Sequence, residues 1–108
     1  MATTIDTTTL RDWQLQQREF TLVDTLPAGS FVEGHLPDAI NIVSDDVLAV
    51  APDRLPDKQE TIVVYCASTS CKRAGLAADR LAGLGYTQIY HYVGGKKAWV
   101  NAGLPLAQ

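Results

Sequence analysis

Apolar and polar positions divide the chain into short runs of two kinds. Runs at 3–5 (TTI), 20–24 (FTLVD), 39–42 (AINI), 61–66 (TIVVYC) and 87–93 (TQIYHYV) are rich in β-branched or aromatic residues and predict strands. TTI is expected at a sheet edge. The 61–66 run is apolar without alternation, the pattern of a strand covered on both faces, as in a parallel sheet. Between these runs the spacing turns helical. The 10–17 segment places Leu10, Trp13 and Gln14 or Gln17 on one narrow stripe, with Asp6 or one of Thr7, Thr8 and Thr9 as its cap. A single helical turn is expected at 30–34, capped by Ser30, and a short helix at 45–51, capped by Ser44 or Asp45. The 73–85 segment puts Leu76, Ala77, Leu81 and Leu84 on an apolar face, and Gly85 suits its C′ position. Gly94-Gly95 turns the chain into a last short helix at 96–103, ended by Gly103. Pro27, Gly29 and Pro37-Asp38 mark turns, and 55–60 reads as a polar loop.

Strands alternating with helices predict an α/β fold: one domain over 1–108, with a small, mostly parallel central sheet flanked by helices on both faces. Ligands of such sheets bind beyond the C-terminal ends of the strands. Asp24 and Cys66 both stand at such ends.

Composition narrows the picture. The chain has 108 residues, a net charge of −3 and a hydrophobic fraction of 46%, ordinary for one globular core. The acidic balance argues against a nucleic-acid partner, and no apolar run approaches the roughly 20 residues of a membrane span. The first residues, MATTIDTTTL, lack the basic start and apolar core of a signal peptide. A cytoplasmic location is therefore expected, where thiols stay reduced and a permanent disulfide is disfavoured.

Both cysteines of the chain lie in VVYCASTSCKRAG, 63–75. Cys66 ends the central strand and precedes a short loop that feeds a helix. Backbone N–H groups of such a loop, with the helix N-terminus, surround one point with positive potential and favour thiolate over thiol. Ala67, Ser68, Thr69 and Ser70 are small enough to let the backbone curl around a sulfur, and Lys72 and Arg73 add positive charge. The pattern points to Cys66 as a partly exposed, low-pKa nucleophile that acts on or carries an anionic group. Cys71 reads equally well as packing beneath the helix. His35 and His91 lack ligand spacing, and two cysteines five apart do not make the usual zinc pair, so no metal is expected. Trp13 and Trp99 read as packing anchors. Tyr90 and Tyr92 alternate onto one face. Asp24 reads as a structural carboxylate that accepts hydrogen bonds from the cysteine loop.

Three stretches together resemble the rhodanese-like domain family: LVDTLPAGSFVEGHLPDAINI, IVVYCAS, and LAADRLAGLGYTQIYHYVGGKKAWVNAGLPL. The resemblance spans roughly 5–105. It implies a sulfurtransferase without metal or organic cofactor, in which Cys66 carries a sulfane sulfur as a persulfide. Residues 67 to 72 would cradle the persulfide or a thiosulfate-like donor. Partners would be a small sulfur donor and a cyanide or thiol acceptor, including a protein thiol. Where the single-domain family loop has Arg five positions after its Cys, this chain has Cys71. Thr69 stands at the third position, the nearest arginine is Arg73, and the loop is two residues longer. Asp24-Thr25-Leu26 replaces the frequent Asp-Val-Arg. The paired cysteines make Cys71 a candidate resolving cysteine, able to form a transient disulfide with Cys66. Two alternatives stay open: a redox-sensing or binding module on the same scaffold, and a phosphatase or arsenate reductase. The latter enzymes resemble Cys, five residues, then Arg; here Lys72 occupies the arginine's place, without its bidentate fork.

Overall fold

The computed structural model describes residues 2–108; Met1, within the expected 1–108 domain, lies outside the described residues. Strands β1 (Thr3–Ile5), β2 (Thr21–Asp24), β3 (Ile40–Asn41), β4 (Thr61–Tyr65) and β5 (Gln88–Tyr92) form one sheet in the order β1-β5-β4-β2-β3. Every pairing is parallel. Helices α1 (Thr7–Leu15), α2 (Ala28–Glu33), α3 (Val47–Arg54), α4 (Arg73–Gly83) and α5 (Gly95–Asn101) connect or follow the strands. The expected α/β architecture is therefore present, with TTI on the sheet edge.

The central strand explains why its sequence does not alternate. Ile62 and Val64 pack in one layer with Val47 and Ala51 of α3 and Ala77 and Leu81 of α4. Val63 and Tyr65 pack in the opposite layer with Leu10 and Trp13 of α1 and Trp99 of α5. Both faces are covered, so both sets must be apolar. Tyr90 and Tyr92 share the second layer, as their alternation requires.

Element ends show which local signals win. The Asp6 carboxylate caps α1 by accepting the Thr9 N–H at 2.9 Å. Gly85, with φ at +99°, occupies the left-handed position after α4. Three expectations need correction. Ser30 does not cap a turn; α2 begins at Ala28, and the Pro27 carbonyl accepts the Ser30 and Phe31 N–H groups. Neither Ser44 nor Asp45 caps α3, because Ser44–Asp46 forms a 3-10 turn ahead of it. Leu76 is 48% exposed, whereas Ala74, Ala77, Ala78 and Leu81 form the buried stripe of α4. Leu76 lies about 200° round the helix from Ala74 and from Ala78, outside that stripe. No helix among the described residues is long and apolar enough to cross a membrane.

Candidate active site around Cys66

Cys66 is the first residue after β4 and is only 2% exposed. Its backbone is pinned from behind by α5. The Cys66 carbonyl accepts the Lys96 N–H at 3.0 Å, and the Ala67 carbonyl accepts the Lys97 N–H at 2.9 Å. Gly95 makes this approach possible. Its φ is +63°, and a Cβ there would stand 2.3 Å from the Cys66 carbonyl oxygen. The Gly94-Gly95 pair, expected only as a turn, thus decides how closely the last helix backs the cysteine.

The loop then folds over the sulfur. Cys71 N–H donates to the Ser68 carbonyl at 3.1 Å, closing a tight turn. Ser68 and Ser70 hydroxyls pair at 3.1 Å. Ala67, Thr69, Ser70 and Lys72 are exposed; Ser68, Cys71 and Arg73 are half-buried. The N–H groups of Ser68, Thr69, Ser70 and Lys72 have no protein partner among the described residues. The Cys66 thiol donates to the Cys71 carbonyl at 3.3 Å, and the N–H groups of Ala67 and Ala74 face its sulfur. Both cysteines are free thiols.

Arg73 does not reach over Cys66. Its Nη1 donates to the buried Ser44 hydroxyl at 3.0 Å and lies 4.0 Å from Asp45. Arg80 reinforces the same anchor through the Ser44 carbonyl and lies 3.9 Å from Asp45. Arg73 therefore contributes its charge to the neighbourhood of Cys71 and not to a fork over the loop.

The electrostatics separate the two cysteines and overturn the expectation that Cys66 is exposed with a low pKa. Burial, then the neighbouring Cys71 side chain, pushes the Cys66 thiol up to about 11, against the pull of the Ala74 and Ala67 N–H groups. Burial also pushes Cys71 up, but several groups together outweigh it. The Cys66 thiol, the Ala67 and Arg73 N–H groups and the Arg73 charge hold Cys71 below the ordinary thiol value. The thiolate of the pair thus forms first on Cys71.

Asp24 is fully buried at the neighbouring strand end. It does not accept from the cysteine loop. Its oxygens take the Leu26 N–H at 2.9 Å and the Tyr65 hydroxyl at 2.8 Å. Burial and the Asp24 charge push the Tyr65 hydroxyl's pKa far up. The Lys96 ammonium stands 3.9 Å from Asp24 and donates to the Ser30 carbonyl at 2.8 Å. Lys96 is a contributor that the sequence reading missed; only its place after the glycine pair hinted at it. His35 binds the Phe31 carbonyl through Nδ1 at 2.8 Å and stacks on that ring, and the Trp99 indole N–H binds the Pro105 carbonyl. Both are packing roles. A groove of about 630 Å³ is lined by Arg18, Phe20, Thr21, Asp38, Glu60 and Thr61 among others. It lies at the N-terminal strand ends, away from Cys66, and plays no part in this site.

Comparison with known proteins bears on this geometry. The family model described as "Rhodanese-like domain" matches residues 7–102. An uncharacterised protein of Synechocystis sp. is 36% identical over 91 residues, covering 83% of this chain and 48% of that protein. A sulfurtransferase of Allochromatium vinosum is 27% identical over 106 residues, covering 98% of this chain and 95% of that protein. Among solved structures, a thiosulfate sulfurtransferase from Pseudomonas aeruginosa superimposes with a TM-score of 0.86 at 28% identity. The match covers 98% of this chain and 20% of that protein. The chain thus spans about half of the first relative and a fifth of the third.

Proposed function

We propose, because the chain belongs to the rhodanese-like domain family, that it is a sulfurtransferase whose Cys66 takes up a sulfane sulfur and passes it to a thiophilic acceptor. The domain is read as the whole of 1–108. The observation that carries this reading is the placement of Cys66. Its sulfur sits at the C-terminal end of the central strand, under a loop with unpartnered amides, with the Ala67 and Ala74 N–H groups facing it.

In the first half-reaction the Cys66 sulfur attacks the sulfane sulfur of a thiosulfate-like donor. Its proton moves to the Cys71 thiolate, the member of the neighbouring pair that ionises first. The new bond joins Cys66 Sγ to the sulfane sulfur, and the donor's own S–S bond breaks, leaving sulfite with the electron pair. In the second half-reaction cyanide, a small thiol or a protein thiol attacks the outer sulfur, and Cys66 departs as a thiolate stabilised by the two amides. The open N–H groups of Ser68, Thr69, Ser70 and Lys72 receive the anionic donor, with exposed Lys72 at the loop's exit. The steps require no metal or organic cofactor.

A second reading, a thiol redox or binding module, draws on the burial of Cys66 and the engagement of Arg73 by Ser44. Intact mass after exposure of the reduced protein to sulfane donors separates the two. One added sulfur on the wild type and none on Cys66→Ser supports transfer; no adduct with any of several donors supports the module. A phosphatase reading gains no support, since Arg73 is turned to Ser44 and Lys72 is exposed.

A further inference from the structure

Cys66 and Cys71 form one unit of the loop. The Cys66 thiol donates to the Cys71 carbonyl, 3.3 Å away, which holds the two ends of the loop together. Cys71 is half-buried and opens toward solvent, while Cys66 is closed off. Arg73, which faces Cys71, is held in place by the buried Ser44 hydroxyl and by Asp45. The residues between the cysteines are small and none is buried, so no packed side chain has to be displaced when the loop draws the two sulfurs to bonding distance. Closing so short a loop costs little entropy, and a neighbouring thiol acts at high effective concentration.

Resting on the sulfur-carrier reading, we propose that Cys71 is a built-in discharging cysteine: it attacks the loaded Cys66, expels the carried sulfur as hydrosulfide and leaves a Cys66–Cys71 disulfide. The inner sulfur of the persulfide is Cys66 Sγ, the atom beside Cys71, whereas the outer sulfur projects toward the loop amides. The Cys71 thiolate forms a bond to Cys66 Sγ, and the bond from Cys66 Sγ to the outer sulfur breaks. The outer sulfur, carrying the proton, leaves as HS⁻ with the electron pair. The two cysteines are oxidised to a disulfide and the sulfane sulfur is reduced to sulfide, so no outside oxidant enters. A dithiol reductant resets the pair by thiol–disulfide exchange. The position that related loops give to arginine thus carries a second outlet for sulfur, which competes with transfer to an external acceptor. The ionisation order of the pair suits this, since the attacking group is the thiol held below its ordinary pKa.

The test follows the loaded protein in time. Reduced wild type and Cys71→Ser are exposed to thiosulfate or glutathione persulfide and rapidly desalted, then followed by intact mass, peptide mapping and hydrosulfide assay without added thiol. The wild type is expected to pass from one sulfur heavier to two hydrogens lighter than the reduced protein. One hydrosulfide should appear per chain, and dithiothreitol should restore the starting mass. The persulfide on Cys71→Ser should last at least about tenfold longer. A wild-type persulfide as long-lived as that of Cys71→Ser, with no disulfide, overturns the proposal while leaving the carrier reading intact. If neither donor adds sulfur to the wild type, the carrier reading falls and this proposal with it.

Discussion

At Cys66, burial and ionisation oppose each other. The residue stands where a strand ends and amides converge, but its side chain is buried in the layer that holds Ala74 and Ala77 of α4, and that burial keeps the resting thiol neutral. Cys71, half-open beside Arg73, is the thiol that ionises first. Iodoacetamide at pH values near 8 should therefore label Cys71 before Cys66, with Cys66 labelled appreciably only as the pH approaches about 11. Peptide mapping reads the order directly; Cys66 labelled first at neutral pH would contradict it. The strand-end position of Cys66 was legible because β-branched residues lead into it. Its burial was not, since the core layer it joins includes Leu26, Ile42 and Val47, which only the fold brings to it.

Among the elements, the junction of β4 with α5 sets the site. A Cβ at Gly95 meets the Cys66 carbonyl and requires a left-handed backbone. Gly95→Ala should cost about 2–4 kcal/mol and reduce sulfur uptake, because the clash falls on the cysteine itself. Gly75→Ala, in the first turn of α4 with nothing within 4 Å of the added methyl, should instead stabilise by up to about 0.5–1 kcal/mol. Urea denaturation of the two variants distinguishes them; equal effects would show that Gly95 is not a close-approach position. The central strand β4 was readable because both of its faces are apolar. The ends of α2 and α3 were not, because Pro27 and a 3-10 turn replaced the expected serine and aspartate caps. Leu76 misled because a leucine beside Ala77 looks apolar-facing, whereas α4 approaches the sheet on alanines.

For the molecule as a whole, the buried titratable groups set a pH window. Burial raises the pKa of Tyr65, Tyr86, Tyr92 and Cys66, favouring their neutral forms in the folded chain. Stability from these groups is complete below their ordinary values and is lost as pH rises through the raised ones. Cys71 works in the opposite sense, alone against four. Burial lowers His91, so its contribution is complete above about 6.5 and is lost as pH falls through the lowered value. The urea midpoint should hold between about pH 7 and 9 and fall steadily above it; a midpoint that rises between about pH 9 and 11 would contradict this. The parallel sheet with helices on both faces was legible in the alternation of runs. The order β1-β5-β4-β2-β3 was not, since pairing such as Thr3 with Tyr90 depends on residues remote in sequence.

Thiosulfate labelled in its outer sulfur follows the one atom on which sulfur transfer turns. The label is expected on the Cys66 peptide of the wild type, absent from Cys66→Ser, and transferred to cyanide when cyanide is added promptly. Label found on Cys71 alone, or on neither cysteine with any sulfane donor, would contradict this expectation.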